Sequence, residues 1–96
     1  MSDETKGKIS ELLHITGETH HSVFRIEDGD DPDWATWYAD WLVNHTELPE
    51  LLGTTPVRSE LVYMLVRLDK EYGEQNPASS WEDYYARALI EHFTGS

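Results

Sequence analysis

Cysteine is absent from the chain, which excludes a disulfide framework, a thiol nucleophile and any cysteine-ligated zinc site. Lysine is nearly absent too, confined to Lys6, Lys8 and Lys70. No apolar run approaches the ~20 residues of a membrane span, and the first residues lack the basic-then-apolar pattern of a signal peptide. Gly-x-Ser-x-Gly, His-Glu-x-x-His and glycine-rich phosphate loops are all missing, so the best-known hydrolase, zincin and nucleotide-binding signatures do not apply. These absences lead to the expectation of a cytoplasmic protein without catalytic function.

What the chain does have is acid and aromatics. Nineteen Asp and Glu against seven Lys and Arg give a net charge of −12, a field that repels phosphate backbones and anionic bilayers and favours cationic partners. Nucleic acid and membranes are therefore not expected as partners. At 96 residues, with four Trp and five Tyr, one domain can close a core of its own.

Period-3.6 stripes separated by Pro, Gly and Asp predict four helices and no strand, over about 3–26, 32–44, 56–72 and 81–93. The first has Ser2 as its cap and an apolar stripe of Ile9, Leu12, Leu13, Thr16, Val23 and Phe24, completed by His20. Gly7 and Gly17 weaken it by about 1 kcal/mol each, and a break near Gly17 is the alternative to one long helix. Asp31 before Pro32 reads as the cap of the second helix, whose stripe is Trp34, Trp37, Tyr38, Trp41 and Leu42 leading into His45. Residues 48–53 form a compact link with one helical turn. Thr55 before Pro56 opens the third helix, and Gly73 ends it. Its stripe of Val57, Leu61, Met64, Leu65, Leu68 and Tyr72 is widened by Val62 and Val66, which predicts a central, most buried helix. Ser80 with Asp83 resembles a capping box before the last helix, which aligns Trp81, Tyr84, Tyr85, Ala88 and His92. The expected fold is an all-α, single-domain four-helix bundle spanning the whole chain.

Three candidate sites follow. His20, His45 and His92 each fall on the apolar stripe of a different helix, and imidazole is a common metal and ligand donor. With Glu60 or Asp69 as carboxylate neighbours they would form a ligand- or metal-binding bundle, although a histidine on an apolar face is more often a hydrogen-bonded boundary residue. Glu11, His14, Glu18 and His21 repeat Glu-x-x-His twice on one helix. The ferritin-like use of that motif draws on two helices, so a single chain cannot reproduce it and a homodimer would be required. The commoner meaning of such a face is a solvated surface with local pairs. Trp34, Trp37 and Trp41 could stack a flat ligand, a sugar or a quaternary ammonium, with Asp33 and Asp40 nearby, although tryptophans at this spacing more often belong to a core.

The run Asp33-Trp-Ala-Thr-Trp-Tyr-Ala-Asp-Trp-Leu42, with Arg58-Ser-Glu-Leu-Val-Tyr63 and Trp81-Glu-Asp-Tyr-Tyr85, resembles a set of short, acidic, uncharacterised bacterial proteins. The resemblance covers about two thirds of the chain, from the second helix onward. It implies no activity, cofactor or site residue. The leading functional expectation is thus a non-enzymatic module that binds a protein partner or another copy of itself. A histidine-based ligand or metal bundle is the alternative, and a small metal-dependent enzyme ranks third.

Overall fold

A computed structural model describes residues 3–23 and 33–95, and these residues are all-helical with no strand among them. The helices are α1 (Asp3–Val23), α2 (Trp34–His45), α3 (Leu48–Leu52), α4 (Arg58–Gln75) and α5 (Trp81–Thr94). The expected cap at Ser2, the Phe24–Ile26 end of the first helix, the 27–31 connector and the Asp31-Pro32 cap lie outside the described residues.

The four longer helices close a ring. α1 packs against α2 and α5, and α4 packs against the same two, while the α1 and α4 backbones do not approach each other closely. The short α3 lies against α1, α2 and α5. This arrangement does not confirm the expected central, most buried third helix. α4 commits one stripe, Leu61, Met64, Leu65 and Leu68, to the core, and leaves Tyr63 and Val66 at 61% and 51% exposure, with Val57 just before it at 61%. Each fully buried aliphatic side chain in that stripe stabilises the fold by about 1.5–3 kcal/mol.

The seam of α2 also differs from its sequence stripe. Ala35, Ala39 and Leu42 are the buried positions, and the bulky rings beside them are only half-buried. Alanine lets α2 lie close to its neighbours, whereas an indole on that line would hold the backbones apart.

Capping explains the helix boundaries. Gly73 does not end α4, because the chain continues helically to Gln75 and turns at Asn76, where φ is +46° and the backbone N–H bonds Tyr72. Asn tolerates this left-handed geometry, and Pro77 follows, where the helix cannot resume. α4 starts at Arg58 and not at Pro56, since Val57 is extended. The cap on α5 is as expected, with Ser80 Oγ accepting from the Asp83 N–H at 3.2 Å. Thr46 joins α2 to α3, its hydroxyl donating to the Leu42 carbonyl at 2.6 Å and accepting from the Leu48 N–H at 3.1 Å. α1 runs unbroken through Gly17, against which the Tyr38 hydroxyl and the Trp81 ring are packed.

Candidate functional site: an aromatic pocket at one end of the ring

A collection of chemistry-bearing side chains lies where α1 and α4 end and α2 and α5 begin. His20, Trp34, Tyr38, Asp69, Tyr72, Trp81 and Tyr85 line a pocket of about 400 Å³. Each of the four longer helices contributes to it, and because the ends alternate, neighbouring helices run in opposite directions. Its volume falls within the range of about 300–1,000 Å³ typical of small-ligand sites.

The walls are rings set edge to face. Trp34 meets Tyr38 at 5.3 Å between centroids and 87°, and Trp81 meets Tyr85 at 5.1 Å and 74°. Edge-to-face pairing is the arrangement that the ring quadrupoles favour, and it leaves one π face of a pair free to meet a ligand. Tyrosine hydroxyls are tied at the margin: Tyr72 donates to the Ser79 carbonyl at 2.8 Å, and Tyr85 reaches Asp69 Oδ1 at 3.4 Å. Burial, reinforced by the negative charge of Asp69, raises the pKa of Tyr85 far above the ordinary tyrosine value. Tyr38 is raised in the same way, by burial first and then by Asp69 and Glu82. Both phenols are neutral at physiological pH, and the field at the pocket wall is negative.

An aromatic series continues out of the pocket along α2. His20 lies 5.1 Å from the Trp37 ring and 5.4 Å from Tyr38, Trp37 stacks on Trp41 at 5.5 Å and 6°, and Trp41 meets His45 at 5.1 Å. Trp37 and Trp41 are half-buried, so the stack forms part of the surface.

The three stripe histidines have three different surroundings. His20 alone is buried, at 8% exposure. His45 is exposed at the end of the aromatic series, and His92 is an exposed residue whose Nε2 bonds Glu60 across α4 and α5. They form no common ligand set, and among the described residues no group of three or more His, Asp or Glu side chains is placed to hold a metal ion.

The Glu-x-x-His face of α1 is not wholly solvated either. His14 lies between two carboxylates, with Nδ1 3.0 Å from Glu82 on α5 and Nε2 3.2 Å from Glu18. Nδ1 is hydrogen-bonded to Glu82, whereas Glu18 acts on the ring through its charge. The Glu82 hydrogen bond, then the Glu18 charge, raises the His14 pKa above 6.5. Glu11 and His21 are exposed. A second groove, shared by Arg67, Arg87, Glu71, Glu91 and His92, mixes charges of both signs and has no dominant character.

Sequence reasoning named Asp69 only as a carboxylate neighbour of the histidines and did not group Tyr72, Trp81 and Tyr85 as a site, because their stripes read as core and only the register between helices brings them together. Of the three tryptophans read as a stacking site, Trp34 lines the pocket, while Trp37 and Trp41 lie outside it. Compared with known protein families, curated proteins and solved structures, the chain matches none.

Proposed function

We propose that this protein is a small, non-enzymatic, cytoplasmic binding module whose acidic aromatic face engages a cationic partner protein. The observation that carries this reading is the aromatic series from the pocket through Trp37 and Trp41, half-exposed on a chain of net charge −12. Trp and Tyr are the residues most enriched at protein interfaces, and a negative field steers cationic partners toward them. The lack of cysteine suits a reducing compartment. The ring of four helices with α3 beside it is read here as a four-helix bundle with a capping turn. No helix among the described residues is long and apolar enough to cross a membrane, and the charge disfavours both nucleic acid and anionic lipid.

A labelled lysine-rich peptide, followed by fluorescence anisotropy at two ionic strengths, tests the reading. Binding should weaken with salt, and replacing both Trp37 and Trp41 by alanine should weaken it at least about fivefold at unchanged charge and helicity. Affinity that depends on salt alone, with no response to the double replacement, would reduce the interaction to bulk electrostatics. Sedimentation velocity separates a second copy of the chain from a foreign partner, because self-association through the same face would appear as a dimer lost in the double variant.

The ligand-binding alternative is favoured by one observation, that His20 lines the pocket. It does not extend to His45 or His92, which are exposed elsewhere.

A further inference from the structure

We propose that the pocket between the four longer helices is a cage for a quaternary ammonium group. The inference rests on the binding-module reading for its biological setting but on the pocket alone for its chemistry. Five of the lining residues, Trp34, Tyr38, Tyr72, Trp81 and Tyr85, are aromatic, and the single carboxylate is Asp69. Aromatic faces attract a cation through their quadrupoles, and tryptophan does so best.

The kind of cation follows from what the walls can offer. A primary ammonium carries three N–H donors, and each must find an acceptor or lose its hydration without compensation. The lining has one carboxylate, already shared with the Tyr85 hydroxyl, and the Tyr72 hydroxyl is turned to Ser79. A methylated nitrogen has no donors to satisfy, sheds its weakly held water easily, and presents methyl groups to the rings. An anion is disfavoured, since no Lys or Arg lines the pocket. A sugar would need more hydrogen-bonding groups than Asp69, His20 and the Tyr38 hydroxyl provide in a lining made mostly of aromatic rings. A metal ion would find one carboxylate and one imidazole, fewer ligands than any of the usual sites.

The surrounding field agrees. Asp69 lies in the lining itself, and its charge and that of Glu82 both act on the Tyr38 phenol. Gly17 contributes geometrically: a Cβ there would lie 3.2 Å from the Tyr38 hydroxyl and 3.6 Å from the Trp81 ring, so its absence lets both residues close over α1.

Such a group occurs as a free molecule of the choline type or as a trimethylated lysine side chain, and the same assay distinguishes them. The full chain is titrated with choline chloride at constant ionic strength, following tryptophan fluorescence and calorimetry. The neutral isostere 3,3-dimethylbutan-1-ol is titrated in parallel, followed by paired peptides carrying trimethyllysine or unmodified lysine. Choline should saturate the fluorescence change and bind at least about tenfold tighter than the isostere. Asp69→Asn, which keeps the shape and the Tyr85 hydrogen bond, should weaken choline about fivefold and leave the isostere unaffected. Trp34→Leu should abolish the preference for the charged ligand.

Equal affinity for the isostere would overturn the cage and leave an apolar pocket, and so would failure of every ammonium probe to saturate. A trimethyllysine peptide that binds tighter than both choline and its unmodified twin supports the cage within the partner-binding reading. Choline binding with no peptide binding supports the cage as a small-molecule site, while the partner reading fails separately if the lysine-rich peptide does not respond to loss of Trp37 and Trp41.

Discussion

Gly73 and Gly53 occupy equally open surroundings and differ in backbone sign. A Cβ at either would meet nothing within 4 Å, but Gly53 has φ of +75° at the end of α3, whereas Gly73 lies within α4 at ordinary helical geometry. Alanine at 73 therefore adds helix propensity and restricts the unfolded chain without steric cost, a gain of about 0.8 kcal/mol. Alanine at 53 must adopt the left-handed region at a cost of about 1–2 kcal/mol, offset in part by the same unfolded-state gain, for a net loss of about 1 kcal/mol. At about 4–8 °C per kcal/mol for a domain of this size, Gly73→Ala should raise Tm by about 3–6 °C and Gly53→Ala should lower it by about 4–8 °C. Circular dichroism melts at matched pH and salt, with urea titrations to check that the denaturant slope is unchanged, measure both. Gly17→Ala is the intermediate case, its propensity gain opposed by the Tyr38 hydroxyl 3.2 Å away. Changes of the same sign at 53 and 73 would refute the assignment of α4 as continuous through Gly73.

Three further outcomes are expected. Because His14 has a raised pKa, owed first to Glu82 and then to Glu18, its stabilising contribution is complete below the unfolded value near 6.5 and is lost as pH rises through the folded pKa. The Tm difference between the natural chain and His14→Gln should thus be present at pH 5.5 and gone by pH 8.5, and a difference that does not change over that interval would contradict the clamp. Ala39→Leu should destabilise by about 1–3 kcal/mol through overpacking of the α2 seam, read as a lower urea midpoint; a neutral result would mean that the seam lies on the tryptophan side. Thr46→Val removes a hydroxyl that bridges Leu42 and Leu48 and should cost about 1 kcal/mol, with amide exchange accelerating first at Leu48.

Helix existence was legible in the sequence because the local signals are strong: the Ser80 cap, the Leu61-Met64-Leu65-Leu68 stripe and the turn chemistry around Gly53 act within a few residues. Boundaries were less so. Gly73 carries the composition of a terminator, but the bond that ends α4 is made by Asn76. The α2 face was misjudged because periodicity counts apolar residues without weighing their size, and Ala35 and Ala39 take the close contact that Trp37 and Trp41 cannot. The pocket was legible only in pieces: His20, Asp69 and Trp34 were singled out, but in separate candidate sites. Its seven lining residues come from four helices, and no spacing within one helix encodes how far another slides along it.

If the pocket takes the proposed cation, that shared construction makes occupancy and folding one equilibrium. Since each of the four longer helices supplies part of the wall, no fragment of the chain retains the pocket, and a bound ligand counts as an added piece of interior that the unfolded chain cannot offer. A ligand present at a hundred times its dissociation constant would raise the unfolding free energy by about 2.7 kcal/mol, a large share of what holds a small domain together. In the cell, abundance of the protein would then follow supply of its ligand, with the empty form being the one that proteases meet.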